Sequence, residues 1–340
     1  MPAVRSYKIP FILFSLLLLL CFLTNISMGS VRIPFSQILS VLLGGETEKP
    51  SWTYIVLNYR LPKAVMAVLT GAGLAVSGLL MQTLFRNPLA GPFVLGISSG
   101  ASLGVAILIM GAATLGISVF LSSTVFAIAA TAGSFLVLLA VISVSLRVRD
   151  TMAILIIGLM FGSITSAVVG VLSYFSSAEK LQQYIFWSFG SLGNMSWNEL
   201  LLLFIILSTG ILMSIAALKS LNALLLGENY ARSMGTNIRQ SRLLIIGATS
   251  LLAGSITAFA GPVAFIGLAV PHLTRQVFNT TNHRILLPAV ILYGAVLMLI
   301  CDTIAQWPAS EHTMPINAIT SIVGAPVVIW LLVRKKKMIF

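Results

Sequence analysis

Gly71-Ala72-Gly73-Leu74-Ala75-Val76-Ser77-Gly78 opens the stretch that decides the fold, which runs on to Ala90-Gly91-Pro92-Phe93-Val94-Leu95-Gly96. A second stretch later in the chain echoes it. Gly247-Ala248 leads through Leu252-Ala253-Gly254-Ser255 to Ala260-Gly261-Pro262-Val263-Ala264-Phe265-Ile266-Gly267. In each, a hydrophobic helix meets a Gly-Pro break and a shorter hydrophobic segment follows. A duplicated, Gly/Pro-interrupted pair of hydrophobic segments is a sign of a transporter built from internal repeats.

The surrounding composition names the solvent. Of 340 residues, 58% are hydrophobic and 8% charged. Soluble domains carry about 25% charged residues, so this chain lacks the polar side chains to cover a water-facing surface. In lipid only helices and closed barrels satisfy their backbone polar groups. Long Leu, Ile, Val and Ala runs without strict alternation select helices over a barrel. The net charge of +12 is scattered over short loops, which fits a topological role and not nucleic-acid binding. Cys21 and Cys301 lie in apolar stretches and read as small buried hydrophobes.

Ten apolar spans are expected, at about 9–28, 61–85, 93–111, 115–146, 152–174, 199–218, 240–260, 263–275, 285–305 and 317–333. The eighth is too short to cross as a straight helix, and glycines interrupt the third. Both follow a Gly-Pro break. The run after Arg5 and Lys8 is read as an uncleaved first helix, because no small-x-small cleavage site follows it. With both termini in the cytoplasm, fifteen of the twenty Lys and Arg fall inside, among them Arg86, Arg147, Arg149, Arg275 and the terminal Arg334 and Lys335–Lys337. Arg32, Lys49, Arg60, Lys63 and Lys180 fall outside. This asymmetry follows the positive-inside rule. It also sets the two echoes in opposite senses, an inverted repeat. The expected fold class is an all-α polytopic membrane protein of about ten transmembrane helices with an inverted internal repeat. It forms one domain over 1–340, with halves at about 61–174 and 240–333 and a cytoplasmic segment at about 219–239.

The stretch from Ser220 to Gly235 reads as a short amphipathic helix, with Leu221, Leu224, Leu225 and Leu226 beside Glu228 and Asn229. An apolar knob on such a helix could seat in a cleft on a partner; the alternative is a helix lying on lipid. Gly227 and Gly235 permit tight turns around it. Arg60 and Lys63 share a helical face on the outer side, where docking and headgroup anchoring both fit. Pro88 and Pro92 force irregular chain, which membrane depth tolerates only beside protein or a cavity. Asp302 falls inside an apolar span. It is expected near the outer end, satisfied by water or a polar neighbour, in a structural role. Gly158 with Gly162, and Gly100 with Gly104, form GxxxG pairs that read as packing faces.

Gly96-Ile97-Ser98-Ser99-Gly100 formally matches the GxSxG hydrolase signature, which would make the chain an intramembrane hydrolase, but in a transmembrane helix it lacks the strand-turn-helix setting. His272 reads as a satisfied turn residue, and His283 and His312 as loop residues. An ion-coupled secondary transporter would need ionisable groups at mid-membrane, and Asp302 is almost the sole candidate. No GxxxxGK[ST] loop, HExxH or metal-ligand cluster occurs. No cofactor or metal is therefore expected on this chain.

Taken in order, seven strings resemble one family. They are Arg60-Leu61-Pro62-Lys63; Ser77-Gly78 with Gln82; Arg86-Asn87-Pro88-Leu89-Ala90 with Pro92; Leu95-Gly96 with Gly100-Ala101; Leu226-Gly227-Glu228 with Ala231 and Gly235; Phe265-Ile266-Gly267-Leu268 with Pro271-His272 and Arg275; and Val323-Gly324-Ala325-Pro326. The chain resembles the permease subunits of ABC importers for iron-siderophores, haem and cobalamin over about 54–334. The resemblance implies a non-enzymatic permease in the bacterial inner membrane, paired as a homodimer. Two ATP-binding subunits carrying ATP and Mg²⁺ attach inside, and a periplasmic or lipoprotein substrate-binding protein docks outside. It implies ATPase coupling through Leu224, Leu225, Leu226, Gly227, Glu228, Ala231 and Gly235, and docking through Arg60 and Lys63. A third basic docking position of the family is Gln306 here. The resemblance also implies that Asn87 and Leu89 belong to the cytoplasmic gate with Thr151 as partner, and that Met152, Met160 and Phe161 are apolar pathway lining. Iron(III)-siderophore is the first expected cargo, with cobalamin and haem as alternatives.

Overall fold

Apolar side chains cannot satisfy backbone N–H and C=O groups, so each long apolar run must bond within itself. In the computed structural model the described residues, 7–111, 122–145, 148, 150–193, 195–306 and 313–333, form helices joined by loops, with no strand among them. Residues 115–121 of the fourth expected span, Arg147, Arg149, Glu311, His312, the basic run after Val333 and the Thr151 side chain lie outside them.

The helices are α1 (Lys8–Ser27), α2 (Phe35–Leu42), α3 (Pro50–Ile55), α4 (Leu61–Leu84), α5 (Ile97–Ala106), α6 (Ser123–Ser145), α7 (Thr151–Tyr174), α8 (Ala178–Ser188), α9 (Trp197–Ala216), α10 (Leu218–Leu225), α11 (Glu228–Ser233), α12 (Ile238–Ala260), α13 (Ile266–Phe278), α14 (His283–Ala305) and α15 (Ile316–Val333). Each of the ten expected spans has its helix. Among the described residues, seven helices are long and apolar enough to cross a membrane. The segments Ile97–Gly111 and Ile316–Trp330 are shorter apolar helices, and α13 has only 13 residues.

α3 runs into α4 through a widened π turn, Val56–Arg60. Pro62 explains the widening: it has no N–H and its ring crowds the carbonyl four residues back. α4 is the axis of the bundle, with 83% of its apolar window buried, against 11% for α1 and 17% for α7. It packs on α12, α13 and α14. Small residues permit this closeness. A methyl group at Gly78 would overlap the carbonyl of Gly267, and Gly71 and Gly294 each face the other's carbonyl. The Gly100–Gly104 face meets Gly133 and Ala129 of α6 in the same way.

α4 and α14 run antiparallel. Lys63 meets Asp302 at one end of the pair, and Thr83 meets His283 at the other. α12 also opposes α4. Its last residue, Ala260, accepts from Ser191 N, and Ser191 shares a cavity with Lys63. Its start, Ser241, bonds Ser220 of α10. The first helices of the two echoes are thus inverted relative to each other. Their Gly-Pro breaks are alike as well. Gly91-Pro92 leads through a 3-10 turn, Pro92–Leu95, to Gly96 at φ 72°, and Gly261-Pro262 leads to Phe265 at φ 65°. In both, a left-handed residue redirects the chain into a new helix. Phe265 adopts this conformation without being glycine. Gly324 of α15 makes room for it, since a methyl there would overlap Phe265 Cβ.

These breaks move two boundaries. The third and eighth expected spans begin at 93 and 263, but α5 starts at Ile97 and α13 at Ile266, because each left-handed residue must precede its helix.

Candidate functional site

The Thr83 end of the bundle gathers the chain's irregular features. α10 buries Leu221, Ala223 and Leu224 against the core. It stops at Gly227, whose φ of 105° is open to glycine and costly to side-chain-bearing residues. α11 then starts with Glu228, an acidic residue favoured at a helix N-terminus. It ends in a Schellman turn, with Gly235 N bonding Arg232 O and Thr236 N bonding Ala231 O, and Gly235 at φ 80°. Glu228 and the Arg242 guanidinium, 3.2 Å apart, fasten α11 to α12.

The expected coupling segment is therefore two helices, not one. Its apolar residues divide differently from the expectation. Leu224 is 2% exposed and Ala231 is fully buried, so both face inward; Leu225 is half-buried. The exposed row is Leu226, Tyr230 and Met234, at 62%, 52% and 62%. Tyr230 and Met234 were missed in the sequence, where a single helix was read through Gly227.

Beside this row lies the loop from Arg86 to Pro92. Asn87 Oδ1 accepts from Leu89 N at 2.9 Å, and Asn87 N donates to Gln82 O at 3.1 Å. The latter bond, with Arg86 N to Thr83 O, closes α4 in a second Schellman turn. Its left-handed position is Arg86, at φ 48°, where a non-glycine residue costs about 1–2 kcal/mol. The Arg86 guanidinium lies against Gly227, so the loop touches the hinge between α10 and α11. Leu89 is exposed. An open cleft of about 840 Å³ joins Phe85 and Arg86 to Asp150 and Met152 at the start of α7 and to Leu226, Glu228 and Tyr230. Thr151 is the first residue of α7, which Asp150 caps by accepting from Met152 N. Asn87, Leu89 and the start of α7 thus fall around the coupling segment. Met160 lies farther along α7, 54% exposed, on the side away from Gly158 and Gly162, which back onto Val94 and Ser99. Arg86→Gly is expected to hold thermal stability within about 1 kcal/mol of the parent, while the β-branched Arg86→Val lowers it further; melting of the purified protein checks both.

The opposite end is a polar knot. The Asp302 carboxylate, 2% exposed, takes Lys63 Nζ at 3.2 Å, Asn25 Nδ2 at 2.8 Å and Gln306 Nε2 at 2.7 Å. It ties α1, α4 and α14 together, as a structural carboxylate should. Among the described residues it is the one carboxylate buried within a span, and it is engaged by three donors. Arg60 does not sit as an outward docking charge. It is 7% exposed and donates to the carbonyls of Ile26 and Ser27 at the end of α1 and of Val31 just beyond it. The carbonyl-rich C-terminus of a helix attracts a guanidinium, and this draws Arg60 inward. Both basic residues line a cavity of about 400 Å³ with Gln306.

His283 is likewise no loop residue. It is fully buried at the start of α14, between Thr83 and Asn222. Ser98 of the GxSxG string lies 3.5 Å from the Thr257 hydroxyl. Among the described residues no group of three His, Cys, Asp or Glu could hold a metal ion.

Residues 17–334 match the profile of the FecCD transport family. The chain belongs to that family. The permease is 36% identical to the hemin transport system permease protein HmuU of Yersinia pestis, over 95% of this chain and 94% of the relative. It is 35% identical to the vitamin B12 import system permease protein BtuC of Vibrio parahaemolyticus, over 97% and 95%. Among solved structures, a chain described as a metal-chelate type ABC transporter in an inward-facing conformation superposes with a TM-score of 0.83 at 29% identity, covering 97% of this permease and all of that chain. The permease is thus a multi-span membrane subunit of a metal-chelate type ABC importer, as its sequence strings implied.

Proposed function

We propose that the permease is half of a homodimer that admits a metal chelate from a substrate-binding protein and passes it inward when two separate ATP-binding subunits move α10–α11. The observation that carries this reading is the exposed Leu226–Tyr230–Met234 row, held on a hinge that touches the Arg86–Pro92 loop. A partner that grips the row can displace the loop. The Thr83 end is cytoplasmic, because Arg86, Arg232, Arg239, Arg242, Arg275 and Arg284 gather there. Asn87, Leu89 and Thr151 form the gate, and Met160 faces the pathway. Docking of the binding protein falls at the Lys63 end. Its charges there include the exposed Arg32 and Lys49, since Arg60 is committed to α1. The chain itself holds no cofactor; ATP and Mg²⁺ belong to the partner.

Relatives named for hemin and for vitamin B12 match at 36% and 35%, so resemblance does not rank the cargoes. An iron(III)-siderophore, haem and cobalamin share bulk and a chelated metal, which an apolar pathway passes without tight holding. The first of these is our assignment. Reconstitution of the permease with its ATPase and binding protein in vesicles should give ATP-dependent uptake of an iron(III)-siderophore. Uptake of haemin or cyanocobalamin alone would reassign the cargo. Uptake driven by a proton or sodium gradient without ATP would overturn the mechanism.

A further inference from the structure

His283 is buried, titratable and unused by the site described above, and both of its ring nitrogens are engaged. Nδ1 lies 2.9 Å from Asn222 Oδ1, which also accepts the His283 main-chain N–H at 3.0 Å. Nε2 lies 2.8 Å from Thr83 Oγ1. An amide oxygen only accepts, so Nδ1 carries the proton and Nε2 is an acceptor; the single Thr83 hydroxyl proton is shared between Nε2 and Leu79 O, each 2.8 Å from Oγ1. Asn222 belongs to α10, His283 to α14 and Thr83 to the last turn of α4. The chain of bonds does not stop there. The next residue, Gln82, receives Asn87 N of the loop on its carbonyl at 3.1 Å. The Gln82 side chain donates to Leu268 O at 2.9 Å and accepts from Arg275 Nη1 at 2.7 Å, both on α13.

From these distances we infer that Asn222, His283 and Thr83 form a relay that pulls the end of α4, and with it the Asn87–Leu89 loop, when α10 moves. The inference rests on the importer reading and adds its internal route. The three are positioning residues and touch neither cargo nor ATPase. Apolar packing between α10 and α4 opposes both compression and separation, but it is non-directional and lets the helices slide past each other. A buried hydrogen bond has no water to replace it, so separating its partners strands both. The relay therefore carries an outward pull of α10 as well as a push. Thr83 and His283 are fully buried, which keeps competing water from the bond between them, while Asn222 is half-buried at the outer link; the rigid imidazole fixes the spacing between its two partners.

The test needs no cargo. The permease–ATPase complex is placed in nanodiscs after Cys21 and Cys301, both free thiols, are changed to alanine. Leu89→Cys then reports the gate through its labelling rate with a maleimide dye, with and without Mg–ATP. The parent is expected to change its rate about fivefold or more with nucleotide, as befits allosteric coupling. Thr83→Val keeps the shape and removes the hydroxyl, and should abolish the difference while ATP hydrolysis and co-purification persist. Thr83→Ser should restore it, and His283→Ala should lose it. A full response in Thr83→Val overturns the relay. So does loss of ATPase binding or hydrolysis in step with the gate response in Thr83→Val, which would make these bonds a fold element. If His283→Ala does not assemble, the Thr83 pair decides. A parent that binds no ATPase sinks the importer reading. A parent that binds and hydrolyses with no response at Leu89→Cys sinks the relay alone.

Discussion

A permease carrying Leu226→Asp and Tyr230→Asp is expected to purify without its ATPase partner. Both side chains are more than half exposed on the isolated chain, so the fold should absorb the changes within about 0.5 kcal/mol each. In the complex, each aspartate would place an unpaired carboxylate where an apolar anchor sat. Anchors of this type carry about 2–4 kcal/mol apiece, and 1.4 kcal/mol is tenfold in affinity. The pair should therefore weaken the complex by about a thousandfold or more. Gel filtration of the co-expressed subunits reads this directly. A complex of unchanged stoichiometry would show that the row is not the contact. Leu224→Asp is the informative contrast. Its side chain is 2% exposed, so the charge would enter the permease core and lower permease stability itself, with or without ATPase present.

The second large effect is expected at the polar knot. Lys63→Ala leaves the Asp302 carboxylate buried, with Asn25 and Gln306 but no cation. Stranding a buried charge costs about 3–5 kcal/mol, and here the loss would loosen α1 and α14 from α4. Lys63→Met with Asp302→Asn removes both charges and should recover most of the stability, because a neutral pair has little desolvation to overcome. Thermal aggregation of the purified permease measures all three forms. If Lys63→Ala melts with the parent, the ion pair is incidental. Charge reversal at Arg60 gives no clean reading on docking. Arg60→Glu would set a carboxylate against the three carbonyls that the guanidinium now binds, and the end of α1 would fail first.

How much of this was legible beforehand varies with the kind of signal. The ten apolar runs predicted ten helices within a few residues, because hydrophobic length and backbone self-satisfaction are local matters. The inverted echo was legible for a related reason. Two helices that each meet Ala-Gly-Pro repeat one local instruction, and basic-residue bias orients them. The segment expected to couple to the ATPase was divided wrongly. One amphipathic helix was expected, and Gly227 splits it, which turns Leu224 inward and Tyr230 and Met234 outward.

Residues named for their charge fared least well. Arg60 and His283 looked like boundary residues, since a basic group beside an apolar run is ordinarily at an interface. Both are buried, because a distant part of the chain brings acceptors to them: the end of α1 for Arg60, and Thr83 with Asn222 for His283. The amino-acid order alone determined the solvent, the all-helical class, the inverted plan and the family. Tertiary structure decided which polar groups meet and which apolar side chains remain for a partner. Burial of a polar group is settled by complementary atoms far away in sequence, and periodicity along one helix carries no information about them.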